Sequence, residues 1–147
     1  MLKFIIDGAP VPKQSMKYRK IETNDGREFI SQYTPTNMVK YARHVKQSFQ
    51  RVYPNHLPSV FQNKPLAISI EVHVQIPKSF SKTKKQKALT QVIKPIIKPD
   101  WDNISKNICD ALNGVAYPDD KQIVDGRVQK FYNEYSYVVV RLTAIEG

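Results

Sequence analysis

Residues 66–76 read LAISIEVHVQI. From Leu66 to Ile76, apolar side chains alternate with small or polar ones, and Pro65 and Pro77 bound the run. A period of two along the chain is typical of a β-strand that buries one face and exposes the other. We therefore predict a strand here, with one face that other elements must cover.

Weaker strand patterns occur on both sides of this segment. They lie at Leu2–Asp7, Glu28–Tyr33, 123–132 and 134–145. Only Asn133 separates the last two, which predicts a hairpin between them. We expect most of the strands to be antiparallel.

Helical spacing of apolar residues predicts two helices, over 38–53 and 102–113. The basic stretch 78–98 has room for a further short helix around 84–92. Residues 8–20 have the composition of a basic, proline-rich loop. These elements predict an α+β fold of two layers, in which a mainly antiparallel sheet carries its helices on one side. At 147 residues, the chain 1–147 is expected to form a single domain.

Composition excludes several classes of protein. With 41% hydrophobic and 24% charged residues, the chain is not disordered as a whole. It has no apolar run long enough for a membrane span, and its N-terminal apolar stretch is too short for a signal peptide. The single cysteine, Cys109, allows neither an internal disulfide nor a cysteine-based metal site. We predict a cytoplasmic protein in a reducing compartment.

The net charge of +10 is distributed unevenly. Residues 1–98 contain 18 Lys and Arg against 5 acidic residues, whereas residues 99–147 contain 5 against 8. A basic body attracts polyanions, so nucleic acid is the leading partner and an anionic membrane surface the second. Carboxylates beside phosphates are unfavourable unless a divalent cation lies between them. The acidic end of a basic chain therefore indicates a metal site.

The acidic residues fall at two places in this end. In an extended Asp100-Trp101-Asp102, the two carboxylates would point to the same side, and Lys106 would follow one helical turn later. Asp119 and Asp120 could return to the same place after the turn at Gly114. Two carboxylates ~4 Å apart repel by roughly 4 kcal/mol at an effective dielectric of about 20. Mg²⁺ relieves such repulsion because it is a divalent cation, and carboxylates bind it because it prefers oxygen ligands.

Each of these residues also has a structural explanation. Asp102 is a good helix N-cap, and Pro118-Asp119-Asp120 is a common turn sequence. Asp110 can pair with Lys106, so we leave it out of the catalytic set. If the segment is extended, Trp101 points away from the acids, which favours packing in the core over stacking on a base. We expect Cys109 to be packed inside its helix and not to act as a nucleophile.

The spacing of the motif nevertheless resembles that of a known family. Asp100-Trp-Asp-Asn-Ile-Ser-Lys106, then Asp110-Ala-Leu112, then Asp119-Asp-Lys-Gln-Ile-Val-Asp125 are similar to the signature of the RusA family of Holliday junction resolvases, which phages and prophages often encode. Gly8-x-Pro10-x-Pro12-Lys13 also resembles members of this family.

The resemblance implies a homodimeric, Mg²⁺-dependent endonuclease that cuts four-way DNA junctions by paired incisions in recombination and repair. Asp100, Asp102 and Asp120 match its catalytic, metal-binding carboxylates, and Lys106 matches its catalytic lysine. Asp119 matches the preceding acid and is a further candidate metal ligand.

The two basic irregular stretches, 8–20 and 78–98, are the candidates for DNA contact, although the lysine run over 82–87 is equally consistent with a solvated surface. The residues that we select are Lys13, Lys17, Arg19 and Lys98. Two alternatives stay open at this point: a non-catalytic, basic DNA-binding or architectural protein, and a metal nuclease that acts on other branched substrates.

Overall fold

The computed structural model describes residues 1–11, 17–33 and 36–146. Its strands are β1 (Leu2–Asp7), β2 (Lys17–Glu22), β3 (Glu28–Tyr33), β4 (Leu66–Gln75), β5 (Ile123–Asn133) and β6 (Tyr137–Ala144). Its α-helices are α1 (Thr36–Val52), α2 (Lys82–Leu89) and α3 (Trp101–Leu112). Short 3₁₀ helices occupy Pro58–Phe61 and Asp120–Gln122.

The strand with the strict alternation, β4, lies inside the main sheet, whose order is β1-β6-β4-β5. Leu66, Ile68, Ile70 and Val72 are buried along one face of β4, as the alternation predicts. β4 runs antiparallel to β6, where Ile70 is opposite Val140, and parallel to β5. The predicted α+β fold with a mostly antiparallel sheet is confirmed.

The predicted hairpin between the last two strands is wrong. β5 and β6 both pair with β4, one on each side, and so they do not pair with each other. Two strand spacings separate them, about 10 Å, and the connection over 134–136 can span this distance because each residue reaches about 3.3 Å. A period of two identifies strands but carries no information about which strands are neighbours.

A second difference concerns the basic segment near the N-terminus. Residues 17–20, which we assigned to a loop, belong to β2, which forms a separate two-stranded antiparallel ribbon with β3. The sequence of β2, KYRKIE, has no alternation of apolar residues because this ribbon is not part of the sheet that carries the core. Hydrophobic periodicity therefore could not find it.

The helices cover the face of the main sheet that holds Ile70. α1 contributes Val45 and Phe49 to the core, and the ring of Phe49 meets Phe4 of β1 edge to face at 5.3 Å between centroids. α3 contributes Ile104, Ile108 and Leu112. α2 is the short helix that we expected, and it packs beside β5, where Phe80 contacts Tyr132. No helix in the described parts of the chain is long and apolar enough to cross a bilayer.

We expect truncation in the central strand to destabilise the protein strongly. Ile70 is fully buried, so Ile70→Ala should lower the free energy of unfolding by about 2–5 kcal/mol, through lost burial and the cavity that remains. Denaturant unfolding followed by circular dichroism measures this. The matched control is Val124→Ala, because Val124 is 66% exposed and a surface change should stay within about 0.5 kcal/mol. Equal losses in the two variants would contradict the assignment of β4 as the centre of the core.

Candidate active site

A cleft of about 320 Å³ lies where α3 approaches the start of β5. It brings together Asp102, Lys106 and Asp110 from α3 with Asp120, which precedes β5. Trp101, Ser105, Cys109 and Ile123 complete its lining. Two of the three predicted catalytic carboxylates and the predicted lysine therefore border one space.

The helix contributes its residues by regular spacing. Asp102, Lys106 and Asp110 are four residues apart and thus lie along one side of α3, while Ile104, Ile108 and Leu112 are buried in the core. Lys106 Nζ is 3.2 Å from Asp110 Oδ2, the ion pair that the sequence predicted. Asp110 also lines the cleft, although we left it out of the catalytic set. The occurrence of a charged residue at every fourth position, 102, 106 and 110, is the sequence pattern that could have identified Asp110 as a site residue.

The second part of the site is the turn that holds Asp119 and Asp120. Asp119 caps the 3₁₀ helix, since its Oδ1 accepts a hydrogen bond from the Lys121 backbone N–H at 2.9 Å. The Asp119 N–H donates in return to Gln122 Oε1 at 3.1 Å. The Asp120 N–H donates to Asn113 Oδ1, at 2.9 Å, beyond the end of α3. The turn is thus tied to the helix whose acids it faces.

Gln122 anchors the turn on its other side. Its Nε2 donates to the carbonyl oxygens of Phe61 at 2.7 Å and Lys64 at 3.1 Å. These two residues lie just before β4. The position of Asp120 is therefore set by hydrogen bonds to two separate parts of the chain.

Negative charge is concentrated around Asp120. Partial burial raises the pKa of the Asp120 carboxyl, and the neighbouring carboxyls of Asp110 and Asp119 raise it further. The direction of this shift means that the charged form of Asp120 is not fully compensated by the protein. A cation in the cleft would relieve this repulsion.

Asp100 is placed differently from the expectation. It has extended backbone angles, φ −66° and ψ 153°, but α3 begins at the next residue, so the triplet Asp100-Trp101-Asp102 is not extended. The strand-like geometry that would point both carboxylates to one side is therefore wrong. Asp100, not Asp102, occupies the N-cap position of α3, and its side chain makes no capping hydrogen bond. It does not line the cleft.

Lys130 of β5 lies within electrostatic range of Asp100. Lys130 Nζ donates to the carbonyl oxygens of Ile97 and, at 3.1 Å, of Pro99. Burial lowers the pKa of Lys130, and the charge of Asp100 acts in the opposite direction. These contacts hold the segment that leads into α3 against β5.

Two residues that line the cleft, Trp101 and Cys109, are not acids, and they differ in burial. Trp101 is 60% exposed and borders the cleft, so its predicted core position is wrong: it lies in the first turn of α3, whereas the buried residues of the helix begin at Ile104. Cys109 is buried, and burial raises the pKa of its thiol to about 11. The prediction that Cys109 is packed and unreactive agrees with this environment.

The predicted DNA-binding residues lie apart from one another. Arg19 is exposed on β2, and Lys98 is exposed two residues before Asp100. Lys13 lies outside the described residues, as does the side chain of Lys17, whose backbone belongs to β2. Their contact with DNA stays a prediction.

A preformed metal cage is not present in the part of the chain that the structure describes, where no three His, Cys, Asp or Glu side chains form such a group. The side chains that do gather, Asp102, Asp110 and Asp120, offer carboxylate oxygens. Mg²⁺ usually takes one or two protein carboxylates, keeps several waters and binds substrate phosphate, so it does not need a protein cage. The donor set of the cleft fits this mode of binding.

Fold and cleft together define a class of protein: an α+β domain in which carboxylates and a lysine gather on an otherwise basic chain, as expected of an enzyme that acts on phosphodiesters. The family model described as endodeoxyribonuclease RusA matches residues 7–143. The chain therefore belongs to the RusA endodeoxyribonuclease family, and the resemblance seen in the motif is confirmed. It is a nuclease, a hydrolase of phosphodiester bonds in DNA.

The chain is also similar to a bacterial protein over nearly the whole of both chains. It is 33% identical over 152 residues to the uncharacterized protein YqaN of Bacillus subtilis (strain 168), with 99% of this chain and 98% of that protein covered.

We expect removal of the Asp120 charge to stabilise the metal-free protein. A carboxyl whose folded-state pKa lies above its ordinary 3.8 binds protons more readily when folded, so its contribution to stability is lost as pH rises through that raised pKa. Asp120→Asn should therefore raise the Tm at neutral pH in EDTA. The gain should vanish at a pH below 3.8, where the wild-type carboxyl is protonated.

Thermal unfolding at several pH values in EDTA measures this difference. The control is Glu134→Gln, which removes one negative charge from an exposed position outside the cleft. A lower Tm for Asp120→Asn at neutral pH would show that the protein compensates the charge of Asp120, and would contradict the raised pKa of this carboxyl.

Proposed function

We propose that this protein is a Mg²⁺-dependent, homodimeric endonuclease that resolves four-way DNA junctions by paired, symmetric incisions. The observation that carries the proposal is the gathering of Asp102, Lys106 and Asp120 in one cleft of a chain that belongs to the RusA endodeoxyribonuclease family. The phage or prophage origin that is common in the family is part of the same proposal.

Charge supports DNA as the substrate. The chain carries +10 overall, and residues 72–99 contain seven lysines and no acid. A second cavity, of about 560 Å³ between α1 and α3, is bordered by Arg43 and Lys46 and shares Asp110 with the cleft. Arg43 and Lys46 thus border a cavity that adjoins the acidic cleft, and they can hold phosphates of a DNA strand next to the one that is cut.

The metal that fits the cleft is Mg²⁺, and Asp102 and Asp120 would hold it there, with Asp100 and Asp119 as further candidate ligands. When bound, Mg²⁺ supplies a more acidic water and positive charge beside the phosphorus. Asp100 would have to turn toward the cleft to take part. Asp119 already accepts a backbone hydrogen bond, which leaves its second oxygen for this purpose.

Lys106 acts on the substrate in this proposal. Its side chain is 60% exposed, and the ion pair with Asp110 keeps the ammonium group at the cleft. A phosphate that enters the cleft competes with Asp110 for this cation, and Lys106 then stabilises the negative charge that develops on the phosphoryl oxygens.

Paired incisions require two active sites related by symmetry. A four-way junction presents two equivalent strands, and a dimer with two-fold symmetry presents two equivalent clefts. The proposal therefore includes a homodimer in solution, which analytical ultracentrifugation tests directly.

The test of function uses labelled four-way junctions and matched linear duplexes, with Mg²⁺ or with EDTA. Products are read on denaturing gels, and binding is read on native gels. Symmetric nicks confined to the junction and dependent on Mg²⁺ support the proposal. Equal cutting of flaps or three-way branches would instead favour a nuclease of broader branched specificity, and junction binding without cutting in any divalent metal would contradict the proposed activity.

Asp102→Asn is expected to abolish junction cutting and to leave junction binding intact or slightly tighter. The substitution removes a metal-binding charge, and it also removes a repulsion toward phosphate. Cutting is measured on denaturing gels in Mg²⁺ and affinity on native gels in EDTA. Glu134→Gln is the control for loss of one negative charge. Loss of binding by a folded Asp102→Asn protein would argue against the metal-binding role.

Lys106→Ala should lower turnover by roughly 100-fold or more, the size seen when one donor to a transition-state charge is removed. Junction affinity should change far less, because one cation is a small part of the basic surface. Single-turnover cutting at saturating protein separates the two effects. Lys3→Ala, at an exposed position on β1, is the control. Equal losses of turnover and affinity would make Lys106 a binding residue.

A further inference from the structure

Trp101 is exposed at the place where a nuclease would hold its substrate. It is the single tryptophan of the chain, it is 60% exposed, and it borders the cleft beside Asp102 and Lys106. Within the described ranges, no aromatic ring stacks on its indole, and no acceptor is paired with its Nε1–H. A large aromatic surface is thus left open in the cleft.

The helix explains why this side chain is available. Residues seven and eleven positions beyond Trp101 are Ile108 and Leu112, both fully buried, and this spacing puts all three on one side of α3. Trp101 is therefore the first member of the apolar stripe of α3. It lies in the first turn of the helix, before the residues that are buried in the core, and its side chain therefore borders the cleft.

Other apolar side chains are exposed in the segment that leads into α3 and at the start of β5. Ile97 is 48% exposed and Ile96 is 95% exposed, in the segment that Lys130 ties to β5. Val124, next to the cleft residue Ile123, is 66% exposed. Exposed apolar surface beside a polar site is characteristic of a binding surface. The cations Lys98 and Lys106 on either side of Trp101 in sequence favour an anionic occupant that also carries an apolar face.

A nucleic acid strand has both properties, because each phosphate is followed by a base with two flat, apolar faces. In a continuous duplex, those faces are covered by neighbouring base pairs. At a branch point, pairs can leave the stack, and a free base face then meets an aromatic side chain favourably. A tryptophan beside the cleft is suited to this contact.

We propose that Trp101 is a stacking platform for an unstacked nucleobase adjacent to the phosphodiester in the cleft, and that it helps the enzyme select branched DNA over continuous duplex. The inference rests on the proposed function and names the residue that recognises the branch. It makes Trp101 a substrate-binding residue, separate from the groups that handle the phosphate.

The intrinsic fluorescence of the protein reports on this contact because Trp101 is the only tryptophan. Wild-type protein is titrated in EDTA with a four-way junction, or with a duplex of the same sequence, while native gels measure binding independently. We expect the saturating junction to quench Trp101 emission and to shield it from acrylamide, and the bound duplex to do so much less. The reporter control is Trp101→Phe combined with Tyr135→Trp, which moves the tryptophan to a residue that is 72% exposed and outside the cleft.

Variants test whether stacking, and not apolar bulk, is what matters. Trp101→Phe keeps an aromatic face, Trp101→Leu keeps apolar bulk alone, and Trp101→Ala keeps neither. Loss of one base-stacking contact predicts that Trp101→Ala lowers kcat/KM on the junction by roughly 5- to 150-fold. Trp101→Leu should be nearly as poor and Trp101→Phe close to wild type. Tyr135→Ala is the matched control for removal of an exposed aromatic residue, and Tm values establish that each variant is folded.

Each outcome decides the inference. Junction-specific quenching together with the ranking Trp, Phe, then Leu and Ala supports stacking. Junction binding and cutting with unchanged Trp101 emission, or full activity of Trp101→Leu, would overturn it and leave the proposed function in place. Shielding that depends on protein concentration and not on DNA would assign Trp101 to a contact between copies of the chain, which also overturns it. A wild-type protein that neither binds nor cuts junctions would overturn the proposed function itself, and this inference with it.

Discussion

The parallel pairing of β4 with β5 constrains the path of the chain segment that connects the two strands. Parallel neighbours cannot be joined by a tight turn and need a long crossover, and residues 76–122 form it. The crossover contains α2, α3 and the acidic turn. Because Leu66 at the start of β4 is opposite Ile123 at the start of β5, the chain must return to the beginning of β4. The acidic turn therefore arrives beside residues 61–64, where Gln122 finds its two carbonyl partners.

Much of the fold was predictable because its elements follow simple periods. The alternation from Leu66 identified the central strand, and the apolar stripes identified α1 and α3 to within two residues at their starts. Strand order was not predictable in this way. β5 and β6 are adjacent in sequence, yet β4 lies between them, and no pattern within the two strands distinguishes that arrangement from a hairpin.

The candidate site was predicted in its composition better than in its geometry. Asp102, Lys106 and Asp120 do border one cleft, because the spacing of a helix and the return of the chain bring them there. Asp100 and Trp101 were misplaced for one shared reason: the helix begins at Trp101, one residue before the start that the sequence predicted. A shift of one residue at a helix boundary changes the direction of each side chain there, and helix boundaries are the least certain feature that a sequence pattern provides.

The anchor of the acidic turn has a consequence for how the protein can vary. Gln122 bonds to main-chain oxygens of Phe61 and Lys64, not to their side chains. Every amino acid carries that carbonyl, so position 64, whose side chain is exposed, is free to change during evolution without moving Asp120. Gln122 has no such freedom, since its amide must donate to one segment and accept from another. Of the two positions joined by this hydrogen bond, position 64 therefore tolerates substitution and position 122 does not.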